Sequence, residues 1–266
     1  MPIHYEEAVD HTVVITIDRP EAKNALDLYH FRDLAAAWRR FAEEDDAWIA
    51  IITGVGRNFM AGADLKTYIP QITELHKQIS EGGVDEIDGC KLRDGTDAVL
   101  RGTKLYKPII AAVNGPCVAG GMEMLGGIDI RIATPHAKFG VMEPKRGLFA
   151  GGGTTVRLPR QLAFPAAMEF LLTAEAFPAE RALELGLLNE LVEEDDAWIA
   201  IITGVERCFM AGADLKTYIP QITELHQQIS KGGVDEIDGC KLRDGTDAVL
   251  RGTKLYKPII AAVNGP

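Results

Sequence analysis

The sequence has few cysteines, and nothing in their spacing indicates a metal site. Its 266 residues include four cysteines and six histidines. The cysteines form no Cys-x-x-Cys pair, and the histidines are scattered, so no zinc-binding pattern is present. Cys117 and His136 have no partner at a recognisable spacing, and we interpret both as structural. We expect a reduced protein that binds no metal.

The chain has fewer basic than acidic residues: 28 Lys and Arg against 39 Asp and Glu, which gives a net charge of −11. This balance argues against nucleic acid or an anionic membrane as the main partner, but it allows a small anionic ligand held by local lysines. No apolar run approaches membrane-spanning length. Residues 1–7 lack the basic flank and apolar core of a secretory signal. We therefore expect a cytoplasmic protein.

What the chain does contain is an alternation of β-branched runs and amphipathic stretches. Residues 12–17 and 48–53 read as buried strands, and between them apolar residues recur at helical spacing: Phe31, Leu34, Ala35, Trp38 and Phe41. Asn24 or Asp27 could cap this helix. Such alternation predicts an α/β fold, with a core of the size that this length allows.

A second amphipathic stretch begins at Ile69 and predicts a helix that is broken near Pro70. The residues that follow, 80–96, are rich in glycine and aspartate. We predict that they form a mobile loop, which could act as a lid or as a pocket wall.

The most informative stretch is residues 117–124, Cys-Val-Ala-Gly-Gly-Met-Glu-Met. It follows a buried strand at 107–113 and a turn at 114–116, and its small residues can begin a helix. A strand, a glycine turn and a helix start leave backbone N–H groups without partners, so this corner can hold an oxyanion. Glu123 comes three residues after Gly120, and its carboxylate should lie beside whatever those N–H groups bind.

A second carboxylate ends another short strand. Residues 138–141 predict a strand that leads to Glu143, and Pro144 favours extended or turn backbone at Glu143. The glycine-rich residues 147–154 then open a further helix. A glutamate at either of these positions, taken alone, is more often solvated than catalytic.

The chain contains an internal repeat. Residues 43–116 recur as 193–266, an offset of 150, with four differences over 74 positions: Gly56/Glu206, Asn58/Cys208, Lys77/Gln227 and Glu81/Lys231. Two copies separated by unrelated sequence are not a solenoid. A recent duplication and an assembly artefact both remain open as its origin. We divide the chain into a core, 1–192, and a repeat segment, 193–266, of undetermined packing.

The second copy ends at Pro266, before any counterpart of Gly120 or Glu123. It therefore lacks half of any site that the first copy helps to build. We predict that residues 193–266 have no chemistry of their own, so turnover by that isolated fragment would contradict us.

Four signatures stand in order along the chain, and together they resemble the crotonase superfamily, specifically the enoyl-CoA hydratases, over about residues 3–192. The signatures are Arg19-Pro20 with Asn24-Ala25-Leu26, then residues 61–66 (Ala-Gly-Ala-Asp-Leu-Lys), 119–123 and 139–143. The resemblance implies a spiral of ββα units, related to that of ClpP, and assembly as a homotrimer or hexamer. It also implies an acyl-CoA thioester substrate and no separate cofactor.

By motif position, the resemblance assigns the two N–H groups that polarise the thioester carbonyl to Ala63 and Gly120. The catalytic pair is Glu123, mainly the base, and Glu143, mainly the proton donor. Two carboxyl groups that hold one water can add it across a double bond. The resemblance further implies contacts to coenzyme A from a third group: Lys23, Ala61, Asp64, Leu65 and Lys66.

The chain departs from the family pattern after Val192, where the family has a helical segment that closes the acyl pocket and builds the trimer. The repeat stands there instead, and its apolar residues 219–229 could imitate a covering helix. Two other functions stay open, an enoyl-CoA isomerase and a non-catalytic protein that binds acyl-CoA or assists assembly.

Overall fold

The computed structural model describes most of the chain up to Val192 and short pieces of backbone beyond it. The described residues are 3–9, 11–83 and 85–192, with the strands at 200–203, 236–237, 240–241 and 259–262. The chain divides into two compact units, 1–194 and 195–266. None of the helices in the described residues combines the length and the hydropathy of a membrane span.

Nine strands belong to the first unit: β1 (Ile3–Val9), β2 (Thr12–Ile17), β3 (Ile49–Gly54), β4 (Ile109–Val113), β5 (Cys117–Val118), β6 (Ile130–Ala133), β7 (Lys138–Gly140), β8 (Phe177–Pro178) and β9 (Glu190–Leu191). Six form one sheet in the order β1-β2-β3-β4-β6-β9, and three form another in the order β5-β7-β8. In the large sheet only β1 and β2 pair antiparallel. Strands β2, β3 and β4 are nearly continuous apolar runs with most of their residues buried, as is typical of sheets covered on both faces.

Seven α-helices accompany these strands in the described residues: α1 (Leu28–Glu43), α2 (Tyr68–Gly82), α3 (Asp94–Asp97), α4 (Gly120–Leu125), α5 (Thr154–Gln161), α6 (Phe164–Thr173) and α7 (Ala179–Glu184). Two ββα units follow each other along the chain, β4-β5-α4 and β6-β7-α5. This order agrees with the predicted α/β layering. It also brings the ends of β5 and β7 together, because these two strands pair in parallel.

Helix α1 confirms the predicted apolar face. All five residues of the pattern are buried, and Trp38 and Phe41 have no exposed surface. Asp27 is the N-cap and accepts hydrogen bonds from the N–H groups of Tyr29 and His30. Asn24 has another role: its buried amide donates to the carbonyls of Val55 and Asn58 and so ties the entry of α1 to the end of β3.

Three local predictions were wrong. Pro70 does not break α2, because it lies in the first turn, where a missing N–H removes no helical hydrogen bond. Residues 80–96 are not one mobile loop, since α2 runs to Gly82 and Asp94 and Asp97 are buried in α3, paired with Arg39. Glu143 is not extended: it begins a 3₁₀ helix, Glu143–Arg146, with Pro144 at its second position.

In the second unit, β10 (Ala200–Thr203) pairs in parallel with β13 (Ile259–Ala262), and β11 (Glu236–Ile237) pairs antiparallel with β12 (Cys240–Lys241). The register of the first pair repeats that of β3 and β4 at the offset of 150. The predicted covering face at 219–229 lies outside the described residues. The packing of the repeat segment and the division at Val192 stay predictions.

Candidate active site

The corner between β5 and α4 is a strained turn. Ala119 has φ 50° and ψ −118°, a backbone conformation that costs a non-glycine residue about 1–3 kcal/mol. Both of its backbone groups are held, because its N–H donates to Gly140 (2.9 Å) and its carbonyl accepts from Glu123 (3.0 Å). The following N–H, that of Gly120, opens helix α4, where no earlier turn supplies an acceptor.

A second bend lies against this corner. Leu26 bonds to the backbone on both sides of Ala63: its N–H donates to Gly62 (2.8 Å) and its carbonyl accepts from Asp64 (2.8 Å). The alternation of an extended chain therefore turns the Ala63 N–H to the other side. Gly62 has φ 88°, and a Cβ there would lie 2.8 Å from the Gly120 nitrogen. Only glycine allows this approach.

The N–H groups of Ala63 and Gly120 have no hydrogen-bond acceptor among the described residues. Both residues line the same cavity, whose volume is about 800 Å³. Two unpaired amide donors on neighbouring bends suit an oxygen atom that gains negative charge. The structure thus brings together the two predicted donors.

Glu123 extends from α4 to the N-terminus of α5. Its side chain is buried, with 4% of the residue exposed. One carboxylate oxygen accepts from the Gly152 N–H (2.7 Å), and the other accepts from the N–H and the hydroxyl of Thr154 (both 2.7 Å). Three short hydrogen bonds fix the orientation of this carboxylate. These donors come from the N-terminal end of α5 and not from α4, the six-residue helix that carries Glu123.

Glu143 lines the same cavity in a different environment. Its Oε2 atom is buried and has no hydrogen-bond partner in the described part of the chain. Burial raises the pKa of Glu143 to about 7, its own backbone N–H partly opposes the rise, and the charge of Glu123 adds to it. Glu143 is therefore able to hold a proton near neutral pH.

Only some of the residues predicted to contact coenzyme A line the cavity. Ala61, Asp64, Leu65 and Lys66 line the cavity, whereas Lys23 is not among its lining residues. Burial alone would raise the pKa of Asp64, but hydrogen bonds from Thr67 and Arg19 lower it. The Arg19 guanidinium lies 3.1 Å from the carboxylate of Asp64. Asp64 thus helps to shape the bend, and its role toward a ligand stays a prediction.

Sequence reasoning missed two residues that hold Glu123. Thr154 is fully buried and supplies two of the three donors. Arg157, one turn further along α5, donates to the carbonyls of Glu123 (2.9 Å) and Val99 (3.0 Å). Burial lowers the pKa of Arg157, and the charge of Glu123 partly restores it. The glycine run at 151–153 was the available signal, because it opens a helix whose N–H groups need an acceptor.

Cys117 is buried, and burial raises the pKa of its thiol, which suits a structural role. In the described part of the chain, no cluster of three His, Cys, Asp or Glu side chains could hold a metal ion. The predicted lack of a cofactor stays a prediction.

Comparison with known proteins identifies the family of the chain. A family model described as enoyl-CoA hydratase/isomerase matches residues 7–199. The chain is 39% identical to enoyl-CoA hydratase EchA19 of Mycobacterium tuberculosis over 193 residues, which cover 70% of this chain and 67% of that protein. It is also 39% identical to (E)-benzylidenesuccinyl-CoA hydratase of Thauera aromatica over 194 residues, 73% of this chain and 70% of that one.

Solved structures give the same result. An enoyl-CoA hydratase from M. tuberculosis H37Rv superimposes with a TM-score of 0.60 at 30% identity, covering 95% of this chain and 90% of the other. The relatives include an isomerase, the peroxisomal Δ(3,5)-Δ(2,4)-dienoyl-CoA isomerase of Arabidopsis thaliana, 30% identical over 66% of this chain and 64% of that protein. The chain has the crotonase fold and belongs to the enoyl-CoA hydratase/isomerase family of the crotonase superfamily.

Proposed function

We propose that the protein is an enoyl-CoA hydratase, which adds water across the double bond of a short- or medium-chain 2-enoyl-CoA thioester. The observation that carries this proposal is the contrast between its two cavity carboxyl groups. Glu123 is held by three donors, whereas Glu143 has a buried oxygen without a partner and a pKa of about 7. A base and an acid in one cavity are what hydration requires.

In the proposed reaction, the water oxygen bonds to Cβ of the enoyl group while Glu123 takes a proton from the water. The electrons of the double bond move toward the thioester, and Cα takes the proton of Glu143. The N–H groups of Ala63 and Gly120 stabilise the negative charge on the thioester oxygen. Each donor in comparable sites contributes about 2.7–4 kcal/mol. Proton exchange with solvent water then restores both carboxyl groups.

The remaining parts of the proposal concern binding and context. We propose that residues 61–66 contact coenzyme A, with Lys66 near its phosphates, and that catalysis needs no separate cofactor. Assembly as a trimer or hexamer and a cytoplasmic location are further proposals. They rest on the family membership and on the charge balance of the chain.

The test follows the loss of the enoyl absorbance of crotonyl-CoA with the full chain, Glu123→Gln and Glu143→Gln. We expect each variant to lose about 10²- to 10⁴-fold in kcat. The control is Glu180→Gln, which removes an exposed carboxylate at the start of α7 and should leave the rate unchanged.

Two other outcomes would replace the proposal. An isomerase would shift the double bond of a 3-enoyl-CoA and would tolerate loss of Glu123. A non-catalytic binder would show affinity for coenzyme A with no turnover in any form. Either result contradicts the assignment as a hydratase.

A further inference from the structure

Tyr68 forms part of the wall of the cavity that Ala63 and Gly120 also line. It is the first residue of α2, and its ring packs on Phe31 at 4.7 Å between centroids with a 50° tilt. Its hydroxyl lies against the backbone of Gly95, because a Cβ there would stand 2.7 Å from the hydroxyl oxygen. All three residues line the cavity. Because glycine has no side chain, the Tyr68 hydroxyl can pack against the backbone of Gly95.

This hydroxyl makes no hydrogen bond to any residue that the structure describes. Phe31, on which the ring packs, lines the same cavity, as do the apolar residues Ile69 and Val99. A partly buried polar group without a partner is unfavourable unless a water molecule or a ligand satisfies it. If the cavity bound only hydrocarbon chains, phenylalanine would pack equally well at this position without an unpaired hydroxyl group.

Successive contacts along the cavity wall connect the Tyr68 hydroxyl to Glu123. Gly95 and Val99 are four residues apart across the end of α3, about 6 Å at the helical rise. A methyl group of Val99 lies 3.0 Å from the position of a Cβ on Gly152, whose N–H binds Glu123. The wall therefore continues from Tyr68 through Gly95 and Val99 to Gly152, whose N–H binds the Glu123 carboxylate.

The surrounding charge limits the kind of group that fits. Burial raises the pKa of Tyr68, and the nearby carboxylate of Asp94 raises it further, so the phenol stays a neutral donor at physiological pH. Asp94 is buried and ion-paired with Arg39 at 3.1 Å. A second carboxylate at the end of the acyl chain would be repelled here. A neutral hydroxyl or carbonyl oxygen would not.

We infer that Tyr68 is a specificity-determining residue that donates a hydrogen bond to a neutral oxygen near the far end of a short acyl chain. The inference rests on the proposed function, because it places the enoyl group between Glu123 and Glu143. It narrows the substrate class to 2-enoyl-CoA thioesters that carry a distal hydroxyl or carbonyl group.

The experiment compares three 2-enoyl-CoA substrates of equal length: 2-hexenoyl-CoA, its 6-hydroxy derivative and the derivative with a terminal carboxylate. For the full-length protein we expect kcat/KM about 3- to 10-fold higher for the hydroxylated substrate than for 2-hexenoyl-CoA. The carboxylate derivative should be the poorest. In Tyr68→Phe the preference for the hydroxyl should disappear while turnover of 2-hexenoyl-CoA persists. The matched control is Tyr106→Phe, which removes an exposed phenol (92% exposed) and should keep the preference.

Binding of the saturated 6-hydroxyhexanoyl-CoA and hexanoyl-CoA, measured by calorimetry, tests the subsite apart from catalysis. The same preference in binding, lost in Tyr68→Phe, supports the inference even if no hydration is found. Equal affinities in the full-length protein, or a preference that survives in Tyr68→Phe, would overturn it. Failure of hydration alone would overturn only the proposed function.

Discussion

Replacing Glu143 with glutamine should make the protein more stable at alkaline pH. In the folded chain the pKa of Glu143 is about 7, against an ordinary value of 4.5. Between these values the folded state holds a proton that the unfolded state has released. The free energy of unfolding therefore falls as pH rises from about 4.5 to about 7. Glutamine keeps the shape of the protonated acid and has no proton to lose.

The size of the effect follows from the shift in pKa. At about 1.36 kcal/mol per pKa unit, the difference between 4.5 and about 7 corresponds to at most about 3 kcal/mol. The side chain is only partly buried, and solvent screening reduces the figure to about 1–2 kcal/mol. In a chain of this size each kcal/mol moves Tm by about 2–4 °C.

The assay is thermal unfolding of the unmodified protein and Glu143→Gln at pH 5 and pH 8. We expect the Tm advantage of the variant to be larger at pH 8 than at pH 5. The control, Glu180→Gln, should show no larger difference in Tm from the unmodified protein at pH 8 than at pH 5. If the advantage of Glu143→Gln were constant or shrank toward pH 8, the carboxyl group would not hold its proton as we have argued. In the same pH range, kcat of the unmodified enzyme should fall as pH rises through about 7, because the proton donor is lost.

Two further substitutions test the parts of the site that position the reacting groups. Thr154→Val removes the hydroxyl that binds Glu123 at 2.7 Å. It should lower kcat about tenfold or more in rate assays and the free energy of unfolding by about 1–3 kcal/mol in melts. The control is Thr155→Val, which removes a hydroxyl that donates to the Ala150 carbonyl (3.2 Å) and not to Glu123, and it should leave kcat unchanged. Gly62→Ala would put a Cβ 2.8 Å from the Gly120 nitrogen and should lower kcat about 10²- to 10³-fold by displacing that donor. Gly186→Ala has a similar backbone (φ 79°) but meets nothing within 4 Å, so equal losses of activity in both would refute the steric reasoning.

The sequence predicted the main strands and α1 well, because their apolar residues have a regular period and the structure buries them on one face. Trp38 and Phe41 are examples. The strand–turn–helix order at residues 117–124 also predicted the corner, although the residue with positive φ in this turn is Ala119 and not a glycine. The N–H groups of Ala63 and Gly120 could be paired only through the family resemblance, because nothing local to either bend indicates the other.

What the sequence did not show depends on contacts between distant segments. Asp94 and Asp97 look like loop residues until Arg39 of α1 is placed beside them. Thr154 looks like an ordinary helix start until the carboxylate of Glu123 reaches it. Tyr68 fits an amphipathic pattern, and its hydroxyl gains significance only when Gly95 lies against it. Polar contacts of this kind have no period along the chain, so pattern analysis does not find them.

The pairing of β10 with β13 has a consequence for how the chain reaches its native state. Residues 200–203 have the same sequence as 50–53, and they pair with 259–262 in the register that β3 adopts with β4. Two segments of identical sequence in one chain are alternatives for the same strand position during folding, and only the first leads on to Gly120 and Glu123. We therefore expect misassembly to compete with correct folding and to lower the refolding yield of the full chain.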